Sequence, residues 1–351
     1  MMRWGGCGSY RSLLSIRSYR LYFLSSTLGS FGSAVQFLAQ GWLVLQIGPA
    51  AWALTAFLAL RIGMKSLLAV PAGLLADRVP RSTLYAWMRV GSGVGSLVSA
   101  GALLTPHPLA VALLGATIAA ASHAIDLPAH RALQGQVQPE EYLERGLSFG
   151  TGGFHIAALL APVVAFPLAA ALGAPVPLLV SAAIFAIAAV PAFLITPTRC
   201  ERIPQKARHD VSAALQFVAQ TPIVVALVLA TALPSVVDKA VAITLPSQSG
   251  GDHHAQTMGF LLAAPELGAI AVGFVLAAVR WQFAPWITVL SAGAYATGIA
   301  TASFVGLTAG IEAIALALFI AGCAKTTLIT SALAGIQRYV PEHMRGRIMT
   351  I

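Results

Sequence analysis

Residues 73–81 read Gly-Leu-Leu-Ala-Asp-Arg-Val-Pro-Arg, a charged turn set between two long apolar runs, 52–76 and 83–104. A helix needs about 20 mainly apolar residues to cross a hydrocarbon core about 30 Å thick. The turn is therefore a point where the chain leaves a bilayer and re-enters it. Outward from it, apolar runs and short polar breaks alternate in both directions. The expected spans are 21–46, 52–76, 83–104, 109–130, 146–171, 176–196, 222–246, 257–279, 284–306 and 311–337, ten in all. Composition agrees, with 58% hydrophobic and 9% charged residues. A soluble domain keeps about a quarter of its residues charged to wet its surface.

Several classes are disfavoured. The formal charge of +9 comes from basic residues that are not gathered into a patch interleaved with aromatics, so nucleic acid is not an expected partner. Cys7, Cys200 and Cys323 lie far apart without metal-ligand spacing, so neither a disulfide framework nor a metal site is expected. Cys323 and His155 stand alone on apolar runs and read as packing residues. Arg11, Arg17 and Arg20 before an apolar run imitate a signal peptide, but the run extends to Ile47 and more spans follow. There is no GxxxxGK[ST] loop and no nucleophile elbow, so neither an enzyme nor a cofactor is expected. The 32 glycines and 20 prolines suit membrane helices, where small residues permit close approach, and Gly91, Gly93 and Gly95 read as such a face.

Lys and Arg give the orientation. Sixteen of the 21 fall at alternate span ends or loops: four in the N-terminal arm, Arg78 and Arg81, Arg131 and Arg145, four between Arg199 and Arg208, Arg280, and Arg338, Arg345 and Arg347. By the positive-inside rule both termini and the central loop are cytoplasmic, which an even number of spans requires. The longest polar stretch, ending in an amphipathic run through Val211, Leu215 and Val218, reads as a cytoplasmic linker over 197–220. It divides a six-helix bundle, 1–196, from a four-helix bundle, 221–351.

Sliding the chain on itself by 200 residues aligns Gly73 with Gly273, Ala132-Leu133 with Ala332-Leu333, Gly135 with Gly335, and Arg145-Gly146 with Arg345-Gly346. A parallel duplication of a six-helix unit places such matches at corresponding span ends. Ile351 then corresponds to Thr151, and counterparts of spans 146–171 and 176–196 are expected to be missing, as in a chain shortened by two helices.

The segment Gly73 to Arg81 resembles the signature of the major facilitator superfamily at the loop between helices 2 and 3, with Pro80 in place of the usual second glycine and Ser82 in place of a basic residue. The early RSYRLYFLSSTLGSFGSAVQFLAQGWLVLQ, the DLPAHRAL stretch and the closing QRYVPEHMRGRIM resemble the branch that contains the bacterial enterobactin exporter and macrolide-efflux proteins. The resemblance implies an all-α membrane protein of the major facilitator fold with about ten of its twelve helices, in a bacterial inner membrane. It implies that Gly73, Asp77, Arg78 and Arg81 form a conformational latch. Asp126, near the cytoplasmic end of the fourth span and at the depth of Asp77, is a candidate further member by its position. It also implies that Arg345, Gly346 and Arg347 belong to the cytoplasmic loop between helices 10 and 11. Ser148, Ala157, Ala161-Pro162 and Ala165 resemble, in degraded form, a glycine-rich exporter signature on helix 5.

Charges inside the bilayer are expensive and mark function by default. Arg61 and Lys65 stand four apart on one helix face, which lines water or meets an anion, unless the pair snorkels or meets a carboxylate of the other half. Asp238 and Glu266 lie about 12–14 Å from the outer ends of their helices, with Lys239 and Lys325 at similar depth. A carboxylate taken out of water can take up and release a proton, so Asp238 or Glu266 is the candidate coupling site; static ion pairing is the alternative. The resemblance implies alternating access, two bundles rocking about a central site. It also implies proton or other ion-coupled efflux of an amphipathic small molecule such as a drug, macrolide or siderophore. A non-transporting remnant or membrane scaffold subunit is the other reading. Oligomeric state is not written in the sequence.

Overall fold

A computed structural model describes residues 15–48, 50–137, 143–196, 219–248, 255–278, 285–305 and 311–339. These residues form ten α-helices: α1 (Arg17–Ile47), α2 (Ala50–Arg78), α3 (Arg81–Ala100), α4 (Pro108–Gln136), α5 (Leu143–Leu172), α6 (Pro175–Phe193), α7 (Pro222–Gln248), α8 (Ala255–Ala278), α9 (Pro285–Val305) and α10 (Ile311–Tyr339). One 3-10 turn, Gly101–Leu104, follows α3. The helices match the ten expected spans with ends shifted by a few residues. Apart from Ala219 and Gln220, the linker expected over 197–220 lies outside the described residues, as do Arg345, Gly346 and Arg347.

Of the ten helices α3 is the least apolar. Among the described residues, apolar stretches long enough to cross a membrane lie within α1, α2, α4, α5, α6 and α10, and shorter described stretches cover Pro222–Asp238 and Leu261–Leu276. With 20 residues α3 is about 30 Å long, enough to cross a hydrocarbon core. What lowers α3 is its inner face of Arg89, Ser92, Ser96 and Ser99, all buried. Large apolar side chains point outward instead, Leu67 at 71% exposure and Phe274 at 74% among them. Polar groups inside and apolar groups outside are the arrangement a lipid solvent selects.

The chain falls into two compact units, one holding α1–α6 and the other α7 up to Leu245, α8 from Phe260, and α9 and α10. In the first, α1 packs on α5 and α6, α3 lies against α4 and α6, and α2 lies against α4. The glycines of α3 make this packing close. A Cβ on Gly95 would sit 2.8 Å from the backbone of both Gly115 and Ala119, and one on Gly91 would collide with the Ser122 hydroxyl. Gly93 turns to Phe185 of α6 instead. Buried polar side chains then tie the helices. Gln36 Nε2 donates to Ser92 O at 2.8 Å and Ser96 Oγ at 2.7 Å, Ser96 and Ser181 share a hydrogen bond of 3.1 Å, and Ser181 donates to Gly32 O at 3.0 Å. Ala157, Ala161 and Ala165 of α5 are buried in the same unit, where small side chains let helices meet. Gly173, at φ 92°, closes α5 in a left-handed conformation that glycine adopts freely, so α6 begins two residues later.

In the second unit α8 and α10 approach each other backbone to backbone. A Cβ on Gly268 would collide with Phe319 O, and one on Gly322 with Pro265 O. α9 lies along α10, with Tyr295 packed against Ala321 and Ala324 and flanked by Val237 and Ile299.

Candidate functional site

The glycine contact between α8 and α10 sets the geometry of a charged cluster. Glu266 follows Pro265, which touches Gly322, and Lys325 lies three residues beyond Gly322, one helical turn along α10. Lys325 Nζ is 3.6 Å from Glu266 Oε1 and 2.7 Å from Asp238 Oδ2 on α7. The Tyr295 hydroxyl, on α9, donates to Asp238 Oδ1 at 2.7 Å. All four helices of the unit thus contribute one side chain. Lys325 is largely buried, at 12% exposure, and Asp238 is the more open carboxylate, at 32% against 17% for Glu266. Two carboxylates share one ammonium, so the ionised trio carries a surplus negative charge. Three of the four charges that the sequence places at one depth are brought together; the side chain of Lys239 lies outside the described residues. Tyr295 is a partner the sequence did not disclose, because its hydroxyl meets Asp238 from another helix, 57 residues away.

In the first unit the intramembrane charges take two different partners. Asp126 Oδ2 accepts from Arg89 Nη2 at 3.0 Å, and the pair is almost fully buried. Arg89 lies over the Tyr85 ring at 4.5 Å, and Tyr22 Oη and His130 Nε2 are 3.1 Å apart beside it. Asp126 Oδ1, Arg89 Nε and Tyr85 Oη find no hydrogen-bond partner among the described residues. Arg89 meets the same intramembrane-charge criterion as Arg61 and Asp126, yet the sequence reading did not single it out. Arg78 is exposed and Arg81 half-buried, and the side chain of Asp77 lies outside the described residues. A Cβ on Gly73 would meet no described atom within 4 Å, so no helix approaches it closely among the described residues. Gly273, its counterpart at a 200-residue offset, is equally open.

Arg61 is 7% exposed. Its Nη1 donates to Gln40 Oε1 at 2.9 Å, and Gln40 Nε2 donates onward to Ser99 Oγ at 2.9 Å. The guanidinium stands 5.0 Å from the Phe37 ring centre and 5.7 Å from that of Phe57. Lys65, one turn along, is exposed. Of the two lone residues read as packing, His155 lies edge-on to Phe154, and Cys323 Sγ lies 3.4 Å from Gly268 O.

The family model described as Major Facilitator Superfamily matches residues 21–351. No curated protein matches the chain in sequence. Among solved structures the chain is similar to a point mutant of the nucleoside transporter NupG, with 16% identity, a TM-score of 0.67, and coverage of 96% of this chain and 86% of that one. It is similar to a bacterial homolog of the human lysosomal transporter Spinster, inward-facing and occupied, with 15% identity, a TM-score of 0.63, and coverage of 98% and 78%. It is also similar to a POT family transporter in complex with a thioalcohol-conjugated peptide, with 12% identity, a TM-score of 0.59, and coverage of 95% and 86%. At these identities the likeness is one of fold.

Proposed function

The chain belongs to the Major Facilitator Superfamily, and from that membership we propose that it is a secondary active transporter, exporting an amphipathic small molecule of the drug, macrolide or siderophore kind in exchange for protons by alternating access. It resides in a bacterial inner membrane with both termini in the cytoplasm. Residues 1–196 and 221–351 act as its two bundles, joined by the segment 197–220, and the turn from Gly73 through Asp77, Arg78 and Arg81 serves as a conformational latch.

The observation that carries the coupling is the cluster of Asp238, Glu266, Lys325 and Tyr295. One proton neutralises the surplus charge of two carboxylates on one lysine, and its departure restores that charge. Lys325 and the Tyr295 hydroxyl both hold Asp238 at 2.7 Å, whereas Glu266 stands 3.6 Å from Lys325, so the trio can tighten or loosen around a proton without losing its ion pair.

The test is purified protein in proteoliposomes with an acidic lumen. Uptake of erythromycin, rhodamine 6G and 2-naphthoate is followed together with lumenal pH. Uptake of at least one probe above empty vesicles, with proton release and collapse under a protonophore, is the expected result. Glu266→Gln and Asp238→Asn should abolish gradient-driven accumulation while exchange at equal pH survives. Accumulation unchanged in both variants would remove the coupling role.

A further inference from the structure

Arg61 and Lys65 form a second charged feature that proton coupling does not use. They lie about 16 Å and 22 Å along α2 from Ala50, on neighbouring positions of one face, far from either end of the helix. Burial rules out snorkelling for Arg61, whose guanidinium is fixed over two aromatic rings rather than reaching an interface. Among the described residues its one hydrogen bond goes to the neutral Gln40, which leaves most of its five donors unengaged there. Within its own unit the buried carboxylate of Asp126 is taken by Arg89, and Asp77 stands about 24 Å further along α2. Lys65 has no hydrogen bond or ion pair among the described residues.

Two cations one turn apart repel each other, and a buried cation without a counter-charge is destabilising. Such an arrangement persists where an anion arrives to complete it. A guanidinium backed by aromatic rings and steadied by an amide presents its remaining N–H groups in a planar fork, the shape that pairs with a carboxylate. Lys65, flexible and open, supplies a second positive charge beside it. The net +2 on this face is opposite in sign to the surplus negative charge around Lys325, so the two features select different ligands, a proton on one and an anion on the other.

We propose that Arg61, with Lys65 one turn along α2, binds the carboxylate of the transported molecule, so that the substrate class is an amphipathic organic anion. This rests on the transporter reading for its cargo, and the binding site itself is tested without transport. The probes are 2-naphthoate and its size-matched cation 2-naphthylmethylammonium, titrated against the purified chain in maltoside detergent while the unfolding temperature is read. The wild type should be stabilised saturably by the naphthoate and not by the ammonium. Arg61→Gln should lose the shift, with apparent affinity lower by about tenfold or more, the weight of one charge-assisted contact. Arg61→Lys should retain part of it, and Lys65→Gln should weaken it less than Arg61→Gln.

Equal shifts from both probes in the wild type would overturn the proposal, and that comparison needs no variant to fold. So would a naphthoate shift that survives in Arg61→Gln. Vesicles that transport rhodamine 6G or erythromycin while the protein shows no naphthoate preference would sink the anion site and leave the transporter standing. An Arg61-dependent naphthoate shift with no flux of any probe would do the reverse.

Discussion

At the scale of single residues, the buried charges of the first unit differ in what holds them. Arg89 and Asp126 neutralise each other but leave Arg89 Nε and Asp126 Oδ1 without hydrogen-bond partners among the described residues, so the pair is only partly satisfied there. Removing one member strands the other in an apolar interior. Asp126→Leu should destabilise the protein by about 3–5 kcal/mol, and Arg89→Met combined with Asp126→Leu should recover most of that loss, measured by unfolding in detergent and closed as a double-mutant cycle. If the double variant is no more stable than Asp126→Leu, the pair is not the unit that matters. The sequence carries both members as charges within apolar runs. It did not disclose the pairing, because the residues stand 37 apart and no local spacing rule reaches from one helix to another. The same limit hid Tyr295 from Asp238, whereas depth along the helices was enough to group Asp238, Glu266 and Lys325.

At the scale of helices, glycine has two uses here that look alike in sequence. Gly95, Gly268 and Gly322 sit where backbones touch, while Gly73 and Gly273 face open space among the described residues. Gly322→Val should therefore drive α10 away from α8, lower the unfolding temperature and separate Lys325 from Glu266, abolishing coupled uptake. Gly73→Ala, placed in a helix with room for the methyl, should be neutral or stabilising by up to about 1 kcal/mol on the same unfolding measurement. A large loss at Gly73 would mean that another state of the protein closes against it. Reading spans by length and punctuation placed all ten helices, and the least apolar of them, α3, owes that to the serines and Arg89 it carries inward.

At the scale of the molecule, alternating polar turns and apolar runs were sufficient to indicate a multi-pass helical protein, and the turn at 73–81 to indicate its superfamily. The solved structures it resembles are described with cargo as different as nucleosides and peptides, so the fold does not choose the cargo and particular side chains must. Orientation is testable on its own. A fluorescent protein fused after Arg208 should glow and alkaline phosphatase fused there should be silent, with the opposite pattern after Pro106, as the distribution of Lys and Arg requires.

The shared lysine of the second unit also has an electrical consequence. With its proton the trio of Asp238, Glu266 and Lys325 is neutral, and without it the trio is an anion. On the exchange reading the site turns inward with its proton and outward without it, so its outward turn carries one more negative elementary charge through some part of the field, where the full drop amounts to about 2.3 kcal/mol per 100 mV. An inside-negative potential should accelerate that proton-free outward step and leave the site's proton-loaded inward step indifferent. A potassium diffusion gradient with valinomycin, imposed on the same vesicles at equal pH, would read that asymmetry as a current.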